Sequence, residues 1–215
     1  MTTIKKYRLT HRTALLISSI FIAMLTLFTI PKSHSDNYAP QQGDIIFQTS
    51  RSSQSQAIQQ ATDSVYSHMG IILIKNNKPY VFEASNKVKY TEIKNWIDRG
   101  VDGKYVIKRV KTSLTDEQKN TLFNTAQSYL NKPYDLTFEW SDSRQYCSEL
   151  VWKIYSNAIG IQIGQLQKLK QFNLSSPAVK AKLTERYGAF VPLNETVISP
   201  KAIFESPLLV TVKQN

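Results

Sequence analysis

Thiols and imidazoles are scarce in this chain of 215 residues, which has one cysteine, Cys147, and three histidines. A single cysteine excludes an internal disulfide. With no His/Cys cluster, a structural zinc site is excluded too, so neither metal nor cofactor is expected. There is no glycine loop suited to cradling phosphate and no Gly-x-Ser-x-Gly run to carry a serine nucleophile. Dense arginine runs and aromatic RNP-like motifs are also missing, which argues against a nucleic-acid partner. Acidic residues are absent from the first 35 positions.

Those 35 positions read as an export segment. Lys5, Lys6, Arg8 and Arg12 form a basic start, Thr13 to Ile30 is apolar and uncharged, and Ser33-His34-Ser35 offers small residues for cleavage after Ser35. The apolar run is also just long enough to span a bilayer, so an uncleaved N-terminal anchor is the rival reading. No cysteine stands near the cleavage point, which excludes lipid attachment there. Both readings put residues 36–215 outside the cytoplasm, in the periplasm or tethered to the inner membrane and facing it. Of the 27 Lys and Arg, five lie in the export segment, which leaves 22 basic and 16 acidic residues in 36–215, a formal +6. This mild excess allows contact with anionic envelope polymer or lipid headgroups, or is a solvated face. Residues 36–215 suit one domain. Nothing in the pattern fixes an oligomeric state.

Short strands are expected at Gly43 to Phe47, Tyr66 to Lys75, Pro79 to Ala84, Gly103 to Val110 and Leu208 to Val212. A short helix is expected within Ser50 to Thr62 and another over Thr91 to Asp98. Thr115 and Gln118 form a capping box for a helix running to about Leu130. Asn131 to Tyr146 reads as a loop and Cys147 to Gly160 as a helix. Ser176-Pro177 and Gly188 bracket one more helix, and Ser199-Pro200 starts a short turn. The class is α+β, with an antiparallel sheet packed against helices.

Cys147 precedes Leu150 and Val151 by three and four positions and so shares the helix face that they mark with Ile154, Tyr155 and Ala158. It points inward from the first turn, where the helix dipole favours the thiolate. A buried cysteine acting as a small hydrophobe is the bland alternative. His11 and His34 flank the apolar run, leaving His68 as the only imidazole of the globular part. A two-residue turn at Asn76-Asn77 sets His68 opposite Ser85 and Gly70 opposite Glu83. His68, Gly70 and Glu83 then share one face, with His68 and Glu83 as diagonal neighbours about 7–8 Å apart at the backbone. A carboxylate there can fix one imidazole nitrogen and leave the other as a base, while Gly70 leaves room for another group to approach. Taken singly, His68 reads as a satisfied core histidine and Glu83 as an edge residue turned to solvent. Asp44 reads as a turn or cap residue, and Tyr134-Asp135 as loop structure near the site.

Gly43-Asp44-Ile45-Ile46-Phe47, Ser67-His68-Met69-Gly70, Glu83-Ala84, Lys132-Pro133-Tyr134-Asp135 and Tyr146-Cys147-Ser148-Glu149-Leu150-Val151 together resemble the YiiX/YebB-like family, in the circularly permuted branch of the NlpC/P60 papain-like superfamily. Histidine on the sheet before cysteine on the helix is the signature. The resemblance covers roughly residues 42 to 212 and implies a permuted papain-like fold. It also implies a catalytic triad of Cys147, His68 and Glu83. Asn131 stands where a glycine is expected.

The main functional expectation is a cell-envelope cysteine hydrolase that cleaves an amide or peptide bond, such as a cell-wall peptide, through a thioester. The same triad suits a lipid acyl-ester hydrolase or acyltransferase, and a non-catalytic envelope binding protein is the third reading. A deep apolar groove beside Cys147 favours the lipid substrate. A polar cleft with carboxylate-binding groups favours peptide.

Overall fold

The computed structural model describes residues 38–215, so the export segment read at 1–35 lies outside the described residues. The chain runs β1 (Ile45–Gln48), α1 (Ser55–Thr62), β2 (His68–Lys75), β3 (Lys78–Ala84), β4 (Val88–Glu92), α2 (Ile93–Asp98), β5 (Val106–Val110), α3 (Asp116–Gln127), α4 (Cys147–Ile159), β6 (Gln167–Lys168), α5 (Pro177–Tyr187), β7 (Thr196–Val197), α6 (Pro200–Phe204) and β8 (Leu209–Gln214). Six strands form one antiparallel sheet in the order β4-β3-β2-β1-β5-β8, and β6 pairs with β7 apart from it. Among the described residues no helix is long and apolar enough to cross a membrane.

The β2–β3 register is the one that the turn chemistry specifies. Asn76 and Asn77 both take positive φ, 51° and 58°, and Lys75 pairs with Lys78 and Ile71 with Phe82. A turn with two positive φ values matches the right-handed strand twist, and asparagine tolerates it. Strand alternation then sorts the sheet into two faces. Ile45, Phe47, Met69, Ile71, Leu73 and Phe82 join the large core with α3 and α4, while Ile46, Ile72, Val81 and Ile107 pack on Trp96 of α2.

Helix α4 is more deeply set than one apolar face would make it. Leu150, Val151, Ile154 and Tyr155 are fully buried, as expected, but Ser148, Glu149, Trp152 and Lys153 are buried too. Gly160 ends the helix at φ 71°. Thr115 and Gln118 make both bonds of the expected capping box, 3.0 and 3.1 Å.

Three local expectations need correction. The helix from Thr115 ends at Gln127 rather than near Leu130, because the chain turns there and Asn131 takes φ 67°. Asparagine tolerates this left-handed conformation, so it can stand where a glycine was expected. Ser199-Pro200 begins a true helix, α6, with Ser199 Oγ accepting from the Ala202 amide at 3.1 Å. Thr91 belongs to a strand, not a helix. Val88–Glu92 alternates against β3 and turns directly into α2, so its short pattern merged with the helix beyond.

Candidate active site

The extra strand decides the character of Glu83. Because β4 flanks β3, Glu83 is not an edge residue turned to solvent but is fully buried opposite Lys89. A buried carboxylate needs donors, and Glu83 has four. His68 Nε2 lies 2.6 Å from Oε2, Trp96 Nε1 donates to Oε2 at 3.1 Å, Thr91 Oγ1 donates to Oε1 at 2.6 Å, and Arg99 Nη2 donates to Oε1. Burial pushes the Glu83 pKa upward, but the bond and charge of His68, then Thr91 and Arg99, outweigh it and hold the pKa at about 2. Glu83 is therefore a permanent anion at any working pH.

His68 opens β2 opposite Gln48 and is 13% exposed. Its ring stacks on Trp96, with centroids 5.7 Å apart and planes 24° apart. Nε2 is taken by Glu83, so Nδ1 is the nitrogen left available to Cys147, whose influence on the ring is felt in its pKa. Burial opposes the charged imidazole, but Cys147 and then Glu83 prevail, and the pKa rises to about 9. The ring is thus an imidazolium at neutral pH.

Cys147 is the first residue of α4 and 4% exposed. It belongs to the large core on the α4 side, whereas His68 and Glu83 lie on the Trp96 face. They meet because His68 stands at the end of its strand, where the start of α4 reaches it. That start is pinned on several sides. Ser148 Oγ donates to the Ile198 carbonyl at 2.8 Å, and the Ile198 amide donates to the Tyr146 hydroxyl at 3.0 Å. The Tyr146 amide donates to Glu149 Oε2 at 3.3 Å. The amide of Cys147 is one of the helix's first four, which have no intrahelical acceptor.

Gly70 does not serve the purpose read from the sequence. A Cβ built there would lie 2.5 Å from Val81 Cγ1 and 2.9 Å from the Phe82 carbonyl oxygen. The space is filled by β3, and no substrate or thiol enters it. Asp44 is a structural anchor: buried, it accepts from the Tyr38 hydroxyl at 2.7 Å and from Arg109 Nε at 2.6 Å.

The loop before α4 contributes to the site. The Gln145 amide donates to the Pro133 carbonyl at 3.0 Å and the Asp135 amide to the Gln145 carbonyl at 3.1 Å, which draws Tyr134 beside the cysteine turn. The Tyr134 hydroxyl accepts from Gln54 Nε2 at 2.8 Å. Burial, with the nearby Cys147 charge, pushes the phenol pKa up, so Tyr134 stays a donor. Cys147 and Tyr134 line a cleft open to solvent, whose other walls are mainly apolar: Ile58, Leu169, Phe172, Val179, Leu183 and Ile198.

Sequence reasoning missed Trp96, Thr91, Arg99 and Glu149. The first three follow from β4 and α2. Glu149 is fully buried against Lys153 Nζ at 2.9 Å, and burial raises its pKa to about 7 despite that partner. Its position three residues after Tyr146, at a helix start, was the available signal.

A cysteine at a helix start, served by a histidine from an earlier strand, defines a permuted papain-like arrangement. The model of the permuted papain-like amidase family (YaeF/YiiX, C92) matches residues 39–213, and the chain belongs to that family of cysteine peptidase-type hydrolases. It is 61% identical over 175 residues to the YiiX protein of Escherichia coli strain K12, covering 81% of this chain and 87% of that protein. It is also similar to a crystal structure described as metalloprotein YiiX from Escherichia coli O157:H7. The TM-score is 0.81 at 59% identity, covering 83% of this chain and 99% of that one.

Proposed function

We propose that this protein is an exported thiol amidase that removes an apolar acyl chain from an amine. The observation that carries this reading is the cleft beside Cys147, whose walls are mainly hydrocarbon. It favours an acyl chain over a cell-wall peptide. The family supports hydrolysis of an amide. The imidazolium beside Cys147 argues against a binding scaffold without chemistry.

In this reading the Cys147 thiolate attacks the acyl carbonyl. The oxyanion takes hydrogen bonds from the Cys147 amide and from the Tyr134 hydroxyl, which accepts from Gln54 and keeps its own proton to donate. His68 gives its proton to the leaving amine, and a thioester remains on Cys147. Water then attacks the thioester, with His68 as base, and the fatty acid leaves. Glu83 is the positioning residue: it fixes the ring and stabilises its cation. An ester substrate would follow the same steps.

The word metalloprotein describes the Escherichia coli O157:H7 protein. Among the described residues here no group of three or more His, Cys, Asp or Glu could hold a metal ion, and His68 already gives Nε2 to Glu83. The donors do not fit a metal centre, and no step is routed through one.

A series of N-acyl p-nitroanilides from two to twelve carbons tests the substrate class. We expect kcat/KM to rise about fourfold per methylene until the cleft is filled, from ~0.8 kcal/mol for each buried CH₂. A flat series, with short peptidyl amides cleaved better, would return the reading to cell-wall peptide. N-terminal sequencing of protein from the host tests export: a start at Asp36 supports a cleaved signal, and a full-length chain in the membrane fraction supports an anchor.

A further inference from the structure

Two charged side chains of the cleft, Lys182 and Arg186, have no part in the chemistry above, and Lys182 is already paired with Glu185. Arg186, in the last turn of α5, lines the same cavity as Cys147. Its Nη2 donates to Gln54 Oε1, and its guanidinium carbon lies 4.5 Å from the centre of the Phe138 ring. Its Nε is out of solvent and has no acceptor. Among the described residues it forms no ion pair. Glu185, beside it on the helix, is 62% exposed and engaged by Lys182 at 2.5 Å.

A guanidinium with a buried, unsatisfied N–H is costly unless something completes it. A neutral amide and an aromatic face hold it in place without cancelling its charge. Planar guanidinium donors match carboxylate and phosphate oxygens in pairs. The location is also specific. Gln54 accepts from Arg186 and donates to Tyr134, and Tyr134 senses both the Cys147 and the Arg186 charges. An anion bound at Arg186 would therefore lie in the cleft that Cys147 lines, with Gln54 between it and Tyr134.

We infer that Arg186 is a specificity-determining residue that binds the anionic group, carboxylate or phosphate, of an amphiphilic substrate whose acyl chain fills the apolar cleft. This rests on the acyl-cleft reading above. Two sources share the chemistry: the carboxylate of an N-acyl amino acid and the phosphate of a lipid headgroup.

The test is calorimetric binding to the full chain carrying Cys147→Ala, which blocks turnover. Three twelve-carbon probes are compared: N-dodecanoylglycine, dodecyl phosphate and neutral N-dodecanoylethanolamine. At least one anion should bind about tenfold or more tightly than the neutral probe. The tighter of the two anions identifies the source. Adding Arg186→Gln should abolish the difference and leave the neutral affinity unchanged, and Arg186→Lys should restore part of it. Equal affinity for all three probes would overturn the inference while sparing the acyl cleft. A uniform loss for all three in Arg186→Gln, with a lower melting temperature, would make Arg186 a tie between α1 and α5 and would also overturn it. If no probe binds even with Arg186 intact, the acyl-cleft reading fails and takes this inference with it.

Discussion

His68 Nε2 stands 2.6 Å from Glu83 Oε2, although the two residues lie on different strands and are not directly opposed. The bond joins diagonal neighbours across the β2–β3 ladder, within reach of long side chains. It also fixes the ring so that its other nitrogen is left for Cys147. We therefore expect Glu83→Gln to lower turnover by about 10²- to 10⁴-fold, as loss of a histidine-orienting carboxylate does elsewhere. The amide cannot serve His68, Trp96, Thr91 and Arg99 as the carboxylate does, so stability should also fall by about 1–3 kcal/mol. NMR titration separates the catalytic effect from the structural one: the His68 pKa should drop well below about 9. An unchanged His68 titration would remove Glu83 from the positioning role.

Gly70→Ala should destabilise the fold by about 1–3 kcal/mol, because its methyl group would enter β3 at Val81 and Phe82. Thermal or denaturant melting measures this. A neutral result would mean that the strand gives way, and that the small residue is not required by packing.

Stability should depend on pH with a definite sign. The His68 pKa is raised from its ordinary 6.5 to about 9, so its contribution is complete below 6.5 and is lost as pH rises through about 9. Glu149, raised from 4.5 to about 7, acts in the same direction and loses its contribution as pH rises through about 7. Glu83, lowered from 4.5 to about 2, contributes above 4.5 and loses that contribution as pH falls through about 2. The melting temperature should therefore peak near pH 4.5 to 5 and decline toward pH 9. His68→Asn should flatten the limb between 6.5 and 9. A wild-type profile that rises from pH 5 to 9 would contradict the assignment.

Tyr134→Phe should lower kcat by about 10²- to 10³-fold and change KM little, the signature of a donor that acts on the oxyanion alone. A change in KM with kcat preserved would make Tyr134 part of the cleft wall.

The hairpin was legible because Asn76-Asn77 specifies both turn and register, and the register places His68 and Glu83 on one face without further information. The cysteine helix was legible from its apolar spacing and from Gly160. What could not be read was β4, whose five residues, with Val88 buried, Lys89 to Thr91 half-buried and Glu92 exposed, run into α2 without a glycine, proline or asparagine between them. Missing that strand left the edge alternative for Glu83 open and hid Thr91, Trp96 and Arg99, which supply its other bonds. The purpose of Gly70 was misread for a related reason: a glycine beside a functional pair invites a functional role, and only the packing of Val81 and Phe82 shows that the neighbouring strand needs the space. The cleft was beyond reach, because its walls come from α1, α5 and segments between residues 134 and 200 that meet only in the fold.

The most direct measurement is intact-protein mass spectrometry after rapid acid quench of the enzyme mixed with an N-dodecanoyl amide. The expected result is a mass gain of one dodecanoyl group in place of one hydrogen, mapped by peptide digestion to Cys147 and absent from Cys147→Ala, which should also be inactive. Turnover that persists in Cys147→Ala, or an acyl group carried on any other residue, would contradict thioester catalysis at this site.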